Sequence, residues 1–276
     1  MIWTDLLKSD FEQAGMMLWK GVVNPVAVNW ESLFSETSSG EFRAESAAIE
    51  GAVRGSQKSP IIDWTRVTDS IDAVLKARSG DWRAGFIPLF QGLMIDFGET
   101  WSAQLGVDFA LLNPHVQEFV DDYTFKFVNR IMDVTRDDLA GMVGLAQSEG
   151  WSILDLIGST RDGTGLRGMY DGWSFLRAEM IARTETIRSE NAGALASYIE
   201  AGVGEVQWWT AEDDRVCPFC GKLHGKKWAA GMPLFGMGDV FRVETEGGVS
   251  VLKLNYEDVL YPPLHVFCRC TLLPVI

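Results

Sequence analysis

Long apolar runs are missing from this chain. No stretch approaches the ~18 residues of a membrane-spanning helix, although 47% of the residues are hydrophobic, enough for a real core. Positive charge is also scarce: 24 Lys and Arg stand against 38 Asp and Glu, a net charge of −14. Such a surface repels nucleic acid at long range and argues against general DNA coating. The opening Met1-Ile2-Trp3-Thr4-Asp5 has neither a basic n-region nor an apolar h-region, so a secreted protein is not expected. No G-x-S-x-G, P-loop or H-E-x-x-H motif occurs, which removes several ready enzyme classes.

Cysteine is rare too, and its placement is informative. All four cysteines fall in two knots: Cys217-Pro218-Phe219-Cys220, and His265-Val266-Phe267-Cys268-Arg269-Cys270 after Pro262-Pro263-Leu264. A C-x-x-C turn aims two thiolates at one point, and an H-x-x-C-x-C run adds three further donors. That donor set suits a tetrahedral metal, with structural Zn2+ the first expectation. Two disulfides are the competing account. Cys217, Cys220 and His265 come first as ligands. Cys268 and Cys270 compete for the fourth place, because alternate residues of an extended segment share a face. His224 is a further candidate, although Leu223-His224-Gly225 reads as a turn. Nothing in the spacing demands the open coordination position that catalysis needs.

The charge divides the chain as sharply as the cysteines do. From Arg215 onward seven Lys and Arg face five acids, so the tail carries +2 and the upstream chain −16. Lys222, Lys226 and Lys227 leave room for a local contact with DNA, whereas a solvated rim around a metal site is the plainer reading.

The expected fold class is α+β: a mainly helical N-terminal and central body with a small β-rich, metal-stapled C-terminal module. Residues 1–60 read as a partner-facing arm, its elements interrupted at Gly40 and around Gly51 to Gly55. Val22-Val23-Asn24-Pro25 reads as extended. Residues 61–203 read as the helical body. One helix is expected from Asp63-Trp64 to Arg78, stopped by Gly80, and a second carries the stripe Phe86, Phe90, Leu93, Phe97, Trp101 and Leu105. Pro114 opens another, and Thr135 to Asp138 has the spacing of a capping box that starts one more. A short helical piece over Trp151 to Gly158 precedes a loop over Ser159 to Gly165.

A long helix is expected from Trp173 to Glu200, with Gly202 as its stop and Leu176, Met180, Ile187 and Leu195 on its apolar face. Thr184, Arg188 and Asn191 share another face by spacing. A solvated face accounts for most such patterns. The functional alternative is that Arg183 and Glu185 brace the cysteine region through charge-assisted hydrogen bonds. Residues 204–276 change to a period of two, with a strand over Val206 to Thr210. A hairpin runs from Val240 to Leu254 around Gly247-Gly248. So small a module buries little core by itself and calls for a staple.

Five pieces in order carry a resemblance. They are Ile181-Ala182-Arg183-Thr184-Glu185-Thr186 with Asn191; Val206-Gln207-Trp208; Asp214-Arg215-Val216-Cys217 through Gly225; Pro262-Pro263-Leu264-His265; and Cys268-Arg269-Cys270-Thr271-Leu272. Together they resemble the phage Mu F-like, head-morphogenesis family of minor head proteins, over about residues 120–276. The resemblance implies a virion component, assembled in the host bacterial cytoplasm and carried inside the head near the portal. It would aid assembly and genome packaging or ejection. The implied partners are portal protein and major capsid protein, with packaged DNA a further contact of the C-terminal module. Arg183, Glu185, Asp214, Arg269 and the five Cys and His donors would be the family's core, the first four as a structural brace. His224 and Val266-Phe267 depart from the usual pattern without removing a strong ligand. No catalytic residue is expected. The competing classes are a metal-dependent hydrolase or nuclease, which needs an open metal position and a general acid or base, and a zinc-stapled DNA-binding module, which the charge balance weakens.

Overall fold

The computed structural model describes residues 24–107, 109, 114–158 and 164–275. Helix α1 covers Asn24–Ser56 and α2 covers Trp64–Leu105. The short α3 (Pro114–Glu118) passes through a π-helical turn (Phe119–Tyr123) into α4 (Thr124–Ser148). Then come α5 (Ile153–Ile157), α6 (Gly165–Gly172), a second π turn (Trp173–Arg177) and α7 (Ala178–Glu200). The remainder is β1 (Glu205–Trp209), α8 (Pro218–Leu223), β2 (Lys227–Ala229), β3 (Val240–Thr245), β4 (Gly248–Lys253) and β5 (Thr271–Val275). The chain is thus mainly helical with a small C-terminal β region around the cysteines, as the α+β expectation required. No described helix is long and apolar enough to cross a membrane.

Several expected helix breaks do not occur. The arm's residues 1–23, Val22 and Val23 among them, lie outside the described residues, but Asn24-Pro25 opens α1 rather than an extended stretch. Proline is tolerated in a first helical turn, where its missing N–H would have had no partner. Helix α1 then runs through Gly40, Gly51 and Gly55, and α2 runs through Gly80 and Pro88. Each glycine disfavours a helix by only about 1 kcal/mol relative to alanine. Against that, α1 buries Phe34, Ser38, Phe42, Glu45, Ile49 and Val53 at steps of three and four, one continuous stripe. Burying a large apolar side chain is worth about 1.5–3 kcal/mol, so the stripe outweighs the glycines. For the same reason Thr135 starts no helix. It lies buried inside α4, one turn from Ile131, Met132 and Leu139. The capping box that does form is at Ser152 and Asp155, ahead of α5, with Gly158 at φ 85° ending it.

The described contacts divide into two compact units. One, Ser32–Phe90 with Glu118–Ala182, is helical. Its core is an aromatic lattice in which Phe34, Phe86, Phe90 and Phe127 meet edge-on or tilted at 4.9–5.7 Å. A buried carboxylate sits in it: Glu45 accepts from Trp82 Nε1 at 3.1 Å and from the Tyr170 hydroxyl at 2.9 Å. Leu176, expected on an apolar face, is 65% exposed, because the π turn over 173–177 rotates the helix face ahead of α7.

The other unit holds, of the described residues, 24–31, 91–107, 109, 114–117 and 183–275. Here the end of α2 crosses α7 closely. A Cβ on Gly193 would lie 2.8 Å from the Met94 carbonyl oxygen, and Ser197 Oγ donates to the Gly98 carbonyl at 2.9 Å. Trp101 meets Tyr198 edge-on at 5.6 Å, over Ala194, Leu195, Val206 and Leu272. A three-stranded antiparallel sheet of order β2-β1-β5 follows, with Trp208 opposite Leu272. A separate hairpin pairs β3 with β4 across Glu246-Gly247.

Candidate metal centre

The first knot is built as a helix start. Cys217 is the N-cap of α8, Pro218 stands at its first position, and the Cys220 N–H donates to Cys217 Sγ at 3.3 Å. Sulfur takes the place that a serine or aspartate oxygen fills at other N-caps. The cap also aims both side chains of the C-x-x-C the same way. The second knot arrives just ahead of β5. His265 Nδ1 faces the Val266 carbonyl at 2.7 Å, which turns Nε2 toward the thiols. That nitrogen lies 3.0 Å from Cys217 Sγ and 3.3 Å from Cys220 Sγ, while Cys220 Sγ lies 3.7 Å from Cys268 Sγ.

The five expected donors therefore converge, in two groups of three: Cys217, Cys220 and His265, and Cys220, Cys268 and Cys270. Tetrahedral zinc with arms of 2.3 Å to sulfur and 2.0–2.1 Å to nitrogen implies S–S edges of about 3.8 Å and N–S edges of about 3.6 Å. The Cys220–Cys268 edge meets the first figure, and the N–S edges of Cys220 and Cys217 fall short by about 0.3 and about 0.6 Å. All four cysteines are free thiols, and 3.7 Å is far beyond a disulfide bond of about 2.05 Å. The donor set fits a thiophilic metal ion. Its sulfurs also share protons unevenly. Hydrogen bonding from Cys220, then from His265, holds the Cys217 thiol down at about 4. Cys220 and then Cys270 hold Cys268 well below the usual thiol value. Cys217, followed by Cys268, pushes Cys220 up. For Cys270 the pull of Cys220 is outweighed by Cys268 and burial, so its thiol is raised. Cys217 lifts His265 to about 9. A metal ion replaces these shared protons when it binds.

What supports the knots lies on α7. The face shared by Thr184, Arg188 and Asn191 is buried rather than solvated. Thr184 Oγ1 accepts the Phe267 N–H at 3.2 Å. Arg188 joins Glu185 at 3.3 Å to Glu257 at 2.6 Å, where the chain approaches the second knot. Asn191, fully buried, accepts the Leu272 N–H at 2.6 Å and donates to the Cys270 carbonyl at 3.4 Å. The Tyr198 hydroxyl donates to the Leu272 carbonyl at 3.0 Å. Helix α7 thus meets the outer edge of β5 as a neighbouring strand would, supplying an acceptor and a donor to one residue's backbone.

The expected brace residues distribute differently. Glu185 lies in the ion-pair chain just described. Arg183 sits over the Phe267 ring at 5.7 Å and 4.0 Å from Glu31. Phe267 itself has φ +58°, a strained setting for an aromatic residue, at the tip between His265 and Cys268. Arg269 pairs with Asp213 and not with Asp214: its two Nη atoms reach the two carboxylate oxygens at 2.5 and 2.6 Å. Asp213 Oδ1 also accepts the Arg215 N–H at 3.0 Å, and this turn swings Asp213 inward and leaves Asp214 exposed. The bidentate pair ties the start of the first knot to the middle of the second. His224 stays outside the cluster, with Nδ1 2.9 Å from Thr210 Oγ1 and its ring 4.4 Å from that of Trp209. Sequence reasoning missed β5 and read the face that docks on it as solvated. The apolar run after Cys270 was the available signal for the strand, but nothing local marks its partner.

Residues 164–273 match the family model described as Phage Mu protein F like protein. The matched segment opens at α6 and closes within β5, so it holds α7, both knots and the sheet between them. The resemblance read from the motifs is thereby shown for this part of the chain. The family is a phage head-morphogenesis family of structural character and not an enzyme family. The comparison with curated proteins gives no match, and neither does the comparison with solved structures.

Proposed function

We propose, from the match of residues 164–273 to the phage Mu F-like family, that this chain is a minor head protein of a tailed bacteriophage. It sits inside the head near the portal and serves assembly and genome packaging or ejection. The observation that carries the reading is the match across both knots and α7. The cluster is read as one structural Zn2+ site, with Cys217, Cys220 and His265 as ligands and Cys268 completing the set at its tetrahedral spacing from Cys220. The metal would supply cross-linking only. The residues named do the rest: Asp213 with Arg269 clamps the two knots, and Thr184, Arg188, Asn191 and Tyr198 hold the module to α7. Portal protein and major capsid protein are the proposed partners. Lys222, Lys226 and Lys227, all exposed, offer packaged DNA a local contact.

Two measurements test this. Copurification from infected cells should recover portal protein with this chain, and recovery of neither portal nor capsid protein would refute the location. Protein purified under reducing conditions should carry about one zinc per chain. Cys217→Ser should lose it and loosen the tail while far-UV helicity is largely kept.

A further inference from the structure

The cluster offers more donors than one tetrahedral ion uses, and the surplus is arranged. Its five donors form two triads with Cys220 in both. One triad is mixed in chemistry and partly open: Cys217 and His265 are half-buried, and a single nitrogen joins two sulfurs. The other is all sulfur and buried at every member, with Cys220, Cys268 and Cys270 at 2–3% exposure. A divalent ion that wants four donors takes the mixed triad and borrows Cys268. A soft monovalent d10 ion such as Cu(I) or Ag(I) is satisfied by three donors, and thiolate sites select such ions. Cys220 is placed to serve both triads, with its sulfur 3.3 Å from His265 Nε2 on one side and 3.7 Å from Cys268 Sγ on the other.

We propose that this cluster also binds two soft monovalent ions at once, one in the Cys217–Cys220–His265 triad and one in the Cys220–Cys268–Cys270 triad, bridged by the Cys220 thiolate. The proposal rests on the metal-site reading above and extends it to a second ion class and a second site. Loading is an exchange in which each arriving cation displaces thiol protons or zinc, with no change of oxidation state.

The test is native mass spectrometry of the full chain, stripped of metal under reducing conditions and titrated in parallel with Zn2+ and with Cu(I) held in a weak chelator. The expected result is saturation at one Zn2+ and at two Cu(I) per chain. Cys270→Ser should bring Cu(I) to one per chain through loss of the all-sulfur triad. Cys217→Ser should also leave one, through loss of the mixed triad. Saturation of the wild type at one Cu(I), with one Zn2+ bound, overturns the two-site proposal and leaves the zinc reading intact. Two Cu(I) retained in either variant also overturns it. No binding of either ion overturns both readings together. Should a variant fail to fold, the wild-type contrast between the two ions decides alone.

Discussion

Replacing Asn191 with alanine probes the link between α7 and the sheet most directly. The Asn191 side chain accepts from Leu272 N–H at 2.6 Å and donates to Ile187 O at 2.7 Å, with longer contacts to Thr271 Oγ1 and Cys270 O at 3.4 Å. Of these, the Leu272 N–H is the serious loss, because it is a buried backbone donor left facing a methyl group. A buried group stripped of its partner costs about 1–3 kcal/mol, and a typical hydrogen bond contributes about 1. One stranded donor and one further net hydrogen bond sum to about 2–4 kcal/mol, a large part of an ordinary domain's stability. Urea unfolding of the zinc-loaded chain would read it by far-UV circular dichroism and by tryptophan fluorescence, whose eleven emitters include Trp208, Trp209 and Trp228 in the sheet. Both midpoints should fall. A loss below about 0.5 kcal/mol, the scatter of ordinary surface substitutions, would falsify the claim that α7 serves as the missing neighbour of β5.

Three further outcomes can be checked. Cys268→Ser should reduce zinc affinity far more than Cys270→Ser, measured by competition with a chromophoric chelator; equal losses would make the fourth position shared. Gly193→Ala should destabilise by about 1–3 kcal/mol through overpacking against the Met94 carbonyl, despite a helix-propensity gain of about 1. Gly141→Ala on α4 meets nothing within 4 Å and should be neutral or stabilising, so comparing the two by thermal melts isolates the close helix crossing. The third concerns Glu45, whose carboxyl is raised above the ordinary 4.5 by burial, against the lowering hydrogen bonds of Tyr170 and Trp82. A carboxyl raised in the folded state binds more protons there than in the unfolded chain. Its contribution is therefore full below 4.5 and is lost as pH rises through the raised value. Melts of wild type and Glu45→Gln across that range should converge at low pH and separate as pH rises, with the wild type the less stable. Parallel curves would refute this assignment.

Helix existence was legible because apolar residues recur at three and four along Phe86 to Trp101, and that periodicity survives folding. Helix ends were not. Local punctuation at Gly40, Gly80 and Thr135 is worth about a kilocalorie, and a buried face such as that of α1 overrides it. The hairpin from Val240 was legible because a glycine turn and alternation are both local signals. The pairing of β1 with β5 was not, since more than sixty residues separate Trp208 from Leu272 and no short pattern records the contact.

The sequence by itself determined the chemistry of the centre. Donor type and spacing within Cys217–Cys220 and His265–Cys270 are properties of a few consecutive residues, and before any fold was known they pointed to a thiophilic ion, with two disulfides as the competing account. The charge division and the family motifs were fixed in the same local way. Only the tertiary structure decided which neighbours serve those donors. It chose Asp213 over Asp214 for Arg269, because a turn at Arg215 aims one carboxylate inward and the other into water. It turned the Thr184, Arg188 and Asn191 face from a solvated stripe into a docking surface. Spacing states which side chains share a face, but what that face meets depends on where distant strands return.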